Sequence, residues 1–162
     1  MSRAFVKEPD GADVFDELPD RPISPHANLV TSRGLALLDD AVARSRAALS
    51  EAQERGDRAA IAAASRDFRY FNARRASAEL VPQTQETSVV RFGSRVTIER
   101  DDGRTQTFRI VGEDEADPAE GLLSYVSPLA RALTGKRVGD VVPAGQSEAE
   151  ILAIEAVSDD PV

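Results

Sequence analysis

Two stretches of the chain repeat apolar or small side chains at alternating steps of three and four. Leu35, Leu38, Val42, Ser45, Leu49 and Ala52 form the first series, and Ile61, Ala64, Phe68, Phe71, Arg75 and Ala78 the second. This spacing predicts two helices with coiled-coil seams, one Arg spoiling the second. Between them stand Gly56 and Asp57. Two seams of similar length around so tight a break predict an antiparallel helical hairpin. Thr31 or Ser32 can cap its start, and Val81-Pro82 ends it. A helix of about 24 residues would make a rod roughly 36 Å long.

The second half changes period. "SRVTIE" alternates around Val96 and Ile98, "DDG" supplies a hairpin turn, and "TQTFRIVG" returns. "GLLSYVS" reads as a third strand, and "GDVVPAG" and "EAEILAIEAV" as a closing turn and strand. Between them "SPLARALTGK" predicts a short helix with Ser127 at the N-cap, Pro128 in its first turn and Gly135 just past its end. A small antiparallel sheet with one short helix makes an α+β domain. The expected organisation is an extended arm over 1–31, a coiled-coil hairpin over 32–81, a linker over 82–88, a sheet domain over 89–157 and a tail over 158–162. The arm is expected to be partly mobile: the stretch before Thr31 carries four of the nine prolines and no period. Its His26, the one histidine, reads as an exposed loop residue.

Composition removes several classes of function. The chain has 162 residues, 41% of them hydrophobic, with 5% aromatics and no Trp, so its core must be aliphatic. It has no Cys, which excludes disulfides and thiolate metal sites. No segment resembles a signal peptide or a membrane span, so a soluble, cytoplasmic protein is expected. The net charge of −8 argues against a general nucleic-acid binder. Residues 33–80 carry nine Arg against seven acids, whereas residues 89–162 carry eight basic residues against fourteen acids. That asymmetry predicts two surfaces with different partners.

The break between the helices has a purely structural explanation. Gly56 suits the left-handed residue that ends one helix, and Asp57 suits the N-cap of the next. A rigid rod with an acid at its tip is also a means of delivering that acid into another molecule. Sequence alone leaves both readings open.

Over residues 33 to 157 the chain resembles a known family. "RFGSRVTIERDDGRTQTFRIVGEDEAD" and "LLSYVSPLARALTGKRVGDVV" look like the C-terminal domain of the bacterial transcript-cleavage factors GreA and GreB, with "DDG" and "FRIVG" closer to GreB. The hairpin with "GD" at its turn resembles their N-terminal coiled coil. The resemblance implies an FKBP-like C-terminal domain that docks at the rim of the secondary channel of RNA polymerase, and a coiled coil that enters the channel. There the family's tip acids help hold a second Mg²⁺, shared with the polymerase, so that the polymerase cleaves its own backtracked RNA; such a factor is not an enzyme in its own right. Carried onto this chain, the tip is Gly56, Asp57 and Arg58, with Asp57 the candidate contributor to that Mg²⁺. The docking residues are Ser127, Pro128 and Leu129. Arg66, Arg69, Arg74 and Arg75 are candidates for contact with the nascent RNA 3′ end or with channel acids, against the plainer reading of a solvated charged face. The acids of "EDEAD", Glu113 to Asp117, read either as a solvated loop or as a surface for a basic partner.

One departure carries weight. The family's tip reads roughly G-D-x-x-E-N, whereas here Ala60 and Ile61 stand at the Glu and Asn positions. Glu54 points back along the rod, and Asp67 lies about 15 Å down the second helix. The rod is also shorter than the family's by roughly one to two turns. The expectation is therefore a monomeric factor that binds the secondary channel and regulates transcription without efficient cleavage; cleavage through Asp57 alone is the alternative. Two other classes compete. A peptidyl-prolyl isomerase would need an aromatic pocket, for which Phe92, Phe108 and Tyr125 are the candidates. A coiled-coil interaction module would pair residues 33–80 with another chain.

Overall fold

The computed structural model describes residues 18–159. Its elements are β1 (Leu29–Val30), α1 (Ser32–Arg55), α2 (Arg58–Ser77), β2 (Glu79–Leu80), β3 (Arg95–Arg100), β4 (Thr105–Val111), a 3-10 turn (Pro118–Glu120), β5 (Leu122–Ser124), α3 (Pro128–Leu133), β6 (Val141–Ala144) and β7 (Ser147–Glu155). The result is the expected α+β fold: a helical hairpin followed by a small sheet domain with one short helix. The chain divides into two compact units, one of Asp39–Ala76 with the residues up to Ile23, the other of Ser24–Leu38 with the residues from Ser77 onward.

In the hairpin unit, Asp39 pairs with Arg75 at 2.5 Å and Arg46 lies over the Phe68 ring at 5.5 Å. Both pairs are placed symmetrically about Asp57, which is the register of an antiparallel hairpin. The first seam faces inward as its spacing predicts: Leu38, Ser45 and Ala52 are buried. The second seam differs. Its members are only half-buried, the fully buried positions of α2 are Ala62 and Arg74, and Ala78 lies beyond the helix end. Ala62 and Arg74 lie about 120° apart around the helix, so burial along α2 follows no single stripe. Two residues of the arm cover part of α2: Asp20 pairs with Arg69 at 2.7 Å, and Arg21 pairs with Asp67 at 3.1 Å while lying 3.9 Å from the Tyr70 ring centroid. The arm is thus packed against α2 at Asp20 and Arg21, and its residues 29–30 form the strand β1. Residues 1–17 lie outside the described part.

In the sheet unit the strands run in the order β5-β4-β3-β7-β6. All neighbours are antiparallel except β5, which lies parallel to β4. The expected third strand is thus shorter than "GLLSYVS" and opposite in direction to that of a purely antiparallel sheet. The segment between Val111 and Leu122, with its 3-10 turn, returns the chain to the same end of the sheet. The core is aliphatic: Val90, Val96, Ile98, Ile110, Leu133, Val142 and Ile151 are 0–1% exposed. Alternation in β6 and β7 puts Val142, Ala149 and Ile151 inside and Val141, Glu150 and Leu152 outside. A bulge opposite Thr97 and Ile98 leaves Leu152 as the extra residue of β7.

A second, two-stranded sheet pairs β1 with β2 in parallel. It draws residues 28–30 of the arm into the sheet unit: Glu79 donates to the Asn28 carbonyl at 2.8 Å and Val81 to the Val30 carbonyl at 3.0 Å. Gly112 permits this approach, since a Cβ there would meet the Leu29 carbonyl oxygen at 2.3 Å.

Candidate functional site

The hairpin tip combines two capping motifs in two residues. Gly56, at φ 63°, donates to the Gln53 carbonyl, and Asp57 donates to the Ala52 carbonyl, both at 3.1 Å. These are the paired bonds of a Schellman ending. Asp57 then opens α2: its carbonyl accepts from Ile61 at 2.9 Å and its Oδ1 from the Ala60 amide at 3.1 Å. The same residue therefore closes one helix and caps the next, and all of Gly56, Asp57 and Arg58 remain exposed. The carboxylate also faces the positive end of α2. Ala60 supplies only its backbone amide. No three His, Asp or Glu groups gather as a metal site among the described residues.

The short helix α3 is built as its sequence predicts. Ser127 accepts from the Ala130 amide at 3.3 Å, Pro128 occupies the first turn, and Gly135 follows at φ 81°. Ala130 and Leu133 anchor the helix in the core, while Pro128 is exposed and Leu129 is half-buried. Ser127, Pro128 and Leu129 thus form one continuous outer edge of the sheet unit.

The four arginines of α2 do not form a common surface. Arg74 is 2% exposed, so it is an interior residue and not a contact for RNA. Arg69 and Arg75 are engaged by Asp20 and Asp39. Arg66 has its Nε buried without a hydrogen-bond acceptor among the described residues. The three aromatics proposed for a proline pocket line different cavities. Phe92 lines a narrow cavity with Pro82 and Arg109, Phe108 an open basin with Arg95 and Leu122, and Tyr125 a shallow depression with His26 and Arg131. Phe92 and Tyr125 meet edge to face at 5.7 Å, and the Tyr125 hydroxyl donates to the Ala27 carbonyl.

The "EDEAD" acids are committed internally. The side chain of Glu115 is 1% exposed; it accepts from Thr31 Oγ1 at 2.7 Å and pairs with Arg33 at 3.0 Å. Thr31 is the N-cap of α1, its Oγ1 accepting from the Gly34 amide at 2.9 Å. Glu115 therefore lies against the start of the longest helix, and a Cβ on residue 34 would stand 2.8 Å from its Oε2. Glu113 accepts from Ser24 Oγ at 3.0 Å, and Asp117 caps the 3-10 turn. The solvated-loop reading is corrected for Glu115. Sequence reasoning missed this clamp, because nothing local links Thr31 to an acid 84 positions later. It also missed Arg109 and Asp159, an ion pair at 2.6 Å with side chains 9% and 4% exposed. Burial pushes the Asp159 carboxyl up, but hydrogen bonds from Arg109 and Gln83 outweigh it and hold the group below the usual carboxylate range.

Comparison with known proteins places the sheet unit. A family model described as transcription elongation factor, GreA/GreB, C-terminal, matches residues 85–156. The transcription elongation factor GreA of Thermomicrobium roseum is 43% identical over 107 residues, covering 59% of this chain and 68% of the relative. The chain belongs to the GreA/GreB family. GreB of Neisseria meningitidis serogroup B is 45% identical over 101 residues, covering 59% of this chain but 62% of its own length, so the chain spans less than two thirds of that relative. Among solved structures, the GreA factor homolog 1 of Thermus thermophilus aligns over 80% of this chain and 99% of its own at 25% identity, with a TM-score of 0.39. The tip of this chain carries one carboxylate, at Asp57, followed by Ala60 and Ile61.

Proposed function

We propose that this protein is a cytoplasmic transcription factor that binds RNA polymerase at its secondary channel. It docks through the Ser127–Pro128–Leu129 edge, presents the hairpin tip toward the active site, and regulates transcription without efficient transcript cleavage. Family membership supports polymerase as the partner, and the tip carries the rest of the reading. Mg²⁺ takes one or two protein carboxylates in most sites, and a two-metal hydrolysis needs added negative charge to hold the weaker ion. Asp57 offers a single carboxylate, already accepting from the Ala60 amide. A lone, exposed carboxylate already used as a helix cap brings less charge to a weakly held second Mg²⁺ than a two-acid tip would, so no cleavage step is assigned to it. A one-acid rod in the channel acts instead by occupying space near the nucleotide entry path. Neither reading makes the protein an enzyme, since the reacting groups belong to the polymerase.

The test is RNA cleavage in a stalled, backtracked elongation complex, with the unaltered protein, Asp57→Ala and Ala60→Glu. The expected result is slow cleavage with reduced nucleotide-driven extension for the unaltered protein, and at least about tenfold faster cleavage for Ala60→Glu, which restores an acid one turn from Asp57. Prompt cleavage by the unaltered protein that Asp57→Ala abolishes would instead assign the activity to the single acid. No effect on cleavage or extension would remove the polymerase reading itself.

A further inference from the structure

The sheet unit is acidic as a whole, but its acid-rich loop and the residues around α3 differ in how their charges are engaged. Residues 89–162 carry fourteen acids against eight basic residues. Yet the acid-rich loop is occupied: Glu115 by Thr31 and Arg33, Glu113 by Ser24, and Asp117 by the Ala119 amide. Around α3 the reverse holds. Arg131, Lys136 and Arg137 are exposed, and among the described residues their side chains make no hydrogen bond or ion pair. The one acid in that stretch, Asp140, accepts from the Arg137 backbone amide at 2.8 Å. His26 joins Arg131 there from the arm. The Tyr125 hydroxyl holds the neighbouring Ala27 carbonyl, and His26, Tyr125, Val126, Arg131 and Thr134 together line a shallow depression beside Ser127.

We infer that this basic lip, His26 with Arg131, Lys136 and Arg137, is part of the docking surface and receives an acidic segment of RNA polymerase. The inference rests on the docking reading above and adds the chemistry of the partner. Charge complementarity carries it. A chain of net charge −8 is repelled from an acidic partner at long range, so a docking edge for such a partner needs local cations that no internal acid neutralises, and α3 has them. The Tyr125 bond to Ala27 then has a consequence beyond stability, because it places the arm's histidine on the lip.

The experiment measures binding of the full-length protein to core RNA polymerase across a salt series. The variants are Arg131→Glu, Lys136→Glu with Arg137→Glu, and Arg104→Glu in the β3–β4 turn as a control whose charge change equals that of Arg131→Glu. All of these positions are exposed, and thermal melts verify that each variant folds. The expected outcome is an affinity at least about tenfold weaker for the lip variants with a flatter salt dependence, and a change within about twofold for Arg104→Glu. Binding of the unaltered protein that Arg131→Glu and the double variant leave intact would overturn the inference while the docking reading stands. Equal weakening by Arg104→Glu would overturn it too, as a net-charge effect. No binding by the unaltered protein would remove both readings.

Discussion

The two long helices begin in the same way and differ in what lies behind their caps. At α1 the hydroxyl of Thr31 accepts from the amide three residues on, and so does the carboxylate of Asp57 at α2. Thr31 is 3% exposed, with the buried Glu115 hydrogen-bonded to it. Asp57 is exposed and bonded to a single backbone amide. One cap is therefore locked into the sheet unit, and the other leaves a charged group free for a partner. Local capping chemistry is the same at both places, and burial decides which one can be functional.

Substitutions that open the buried start should have the largest effect. Gly112→Ala would drive a Cβ to 2.3 Å from the Leu29 carbonyl, a backbone atom that cannot rotate away. Dislodging β1 should cost about 3 kcal/mol or more, as overpacking against backbone does, read as a drop in urea midpoint by far-ultraviolet circular dichroism. Tolerance of alanine there would mean that β1 is not seated as described.

Removing the clamp comes next. Glu115→Ala should destabilise by about 2 kcal/mol, the cost of leaving buried partners unsatisfied, moderated by the exposure of Arg33. Gly34 sharpens the comparison through a change of sign. Gly34→Ala should destabilise the unaltered protein, because its Cβ would crowd Glu115. In the Glu115→Ala background the same change should stabilise by roughly 0.5–1 kcal/mol, the ordinary advantage of alanine over glycine in a helix. A double-mutant cycle that shows additivity would refute the contact.

The exposed start should respond more weakly. Asp57→Ala removes a cap worth about 1 kcal/mol, while Asp57→Asn keeps the acceptor and should cost only a few tenths. The asparagine variant thus separates the cap from the charge: full stability with altered behaviour on polymerase would show that the charge matters beyond the fold. The smallest effect concerns acid. The Asp159 carboxyl is held below its usual range in the folded protein, so its ion pair with Arg109 adds stability above the unfolded carboxylate value of about 3.9 and loses it as pH falls through the lower folded value. Asp159→Asn should therefore flatten the acid limb of a stability profile below about pH 4 and leave the neutral limb parallel to that of the unaltered protein. An unchanged acid limb would place the acid sensitivity elsewhere.

Elements held by local signals were legible in the sequence. The heptad-like spacing of α1, the Gly56-Asp57 turn, the β3–β4 hairpin and the Ser127–Gly135 limits of α3 each depend on a few consecutive residues. The tip's lone acid was legible for the same reason, as a substitution within one turn of helix. Tertiary structure alone decided the rest. It turned β5 parallel to β4, buried Arg74 instead of Arg75, and brought the arm's Asp20 and Arg21 onto α2. It joined Thr31 to Glu115 and Arg109 to Asp159, and among the described residues it left Arg131, Lys136 and Arg137 without ion pairs while Glu113, Glu115 and Asp117 found partners. Each of these depends on groups dozens of residues apart, and burial, which sets the strength of a charge and its availability to a partner, is a property of the folded surroundings.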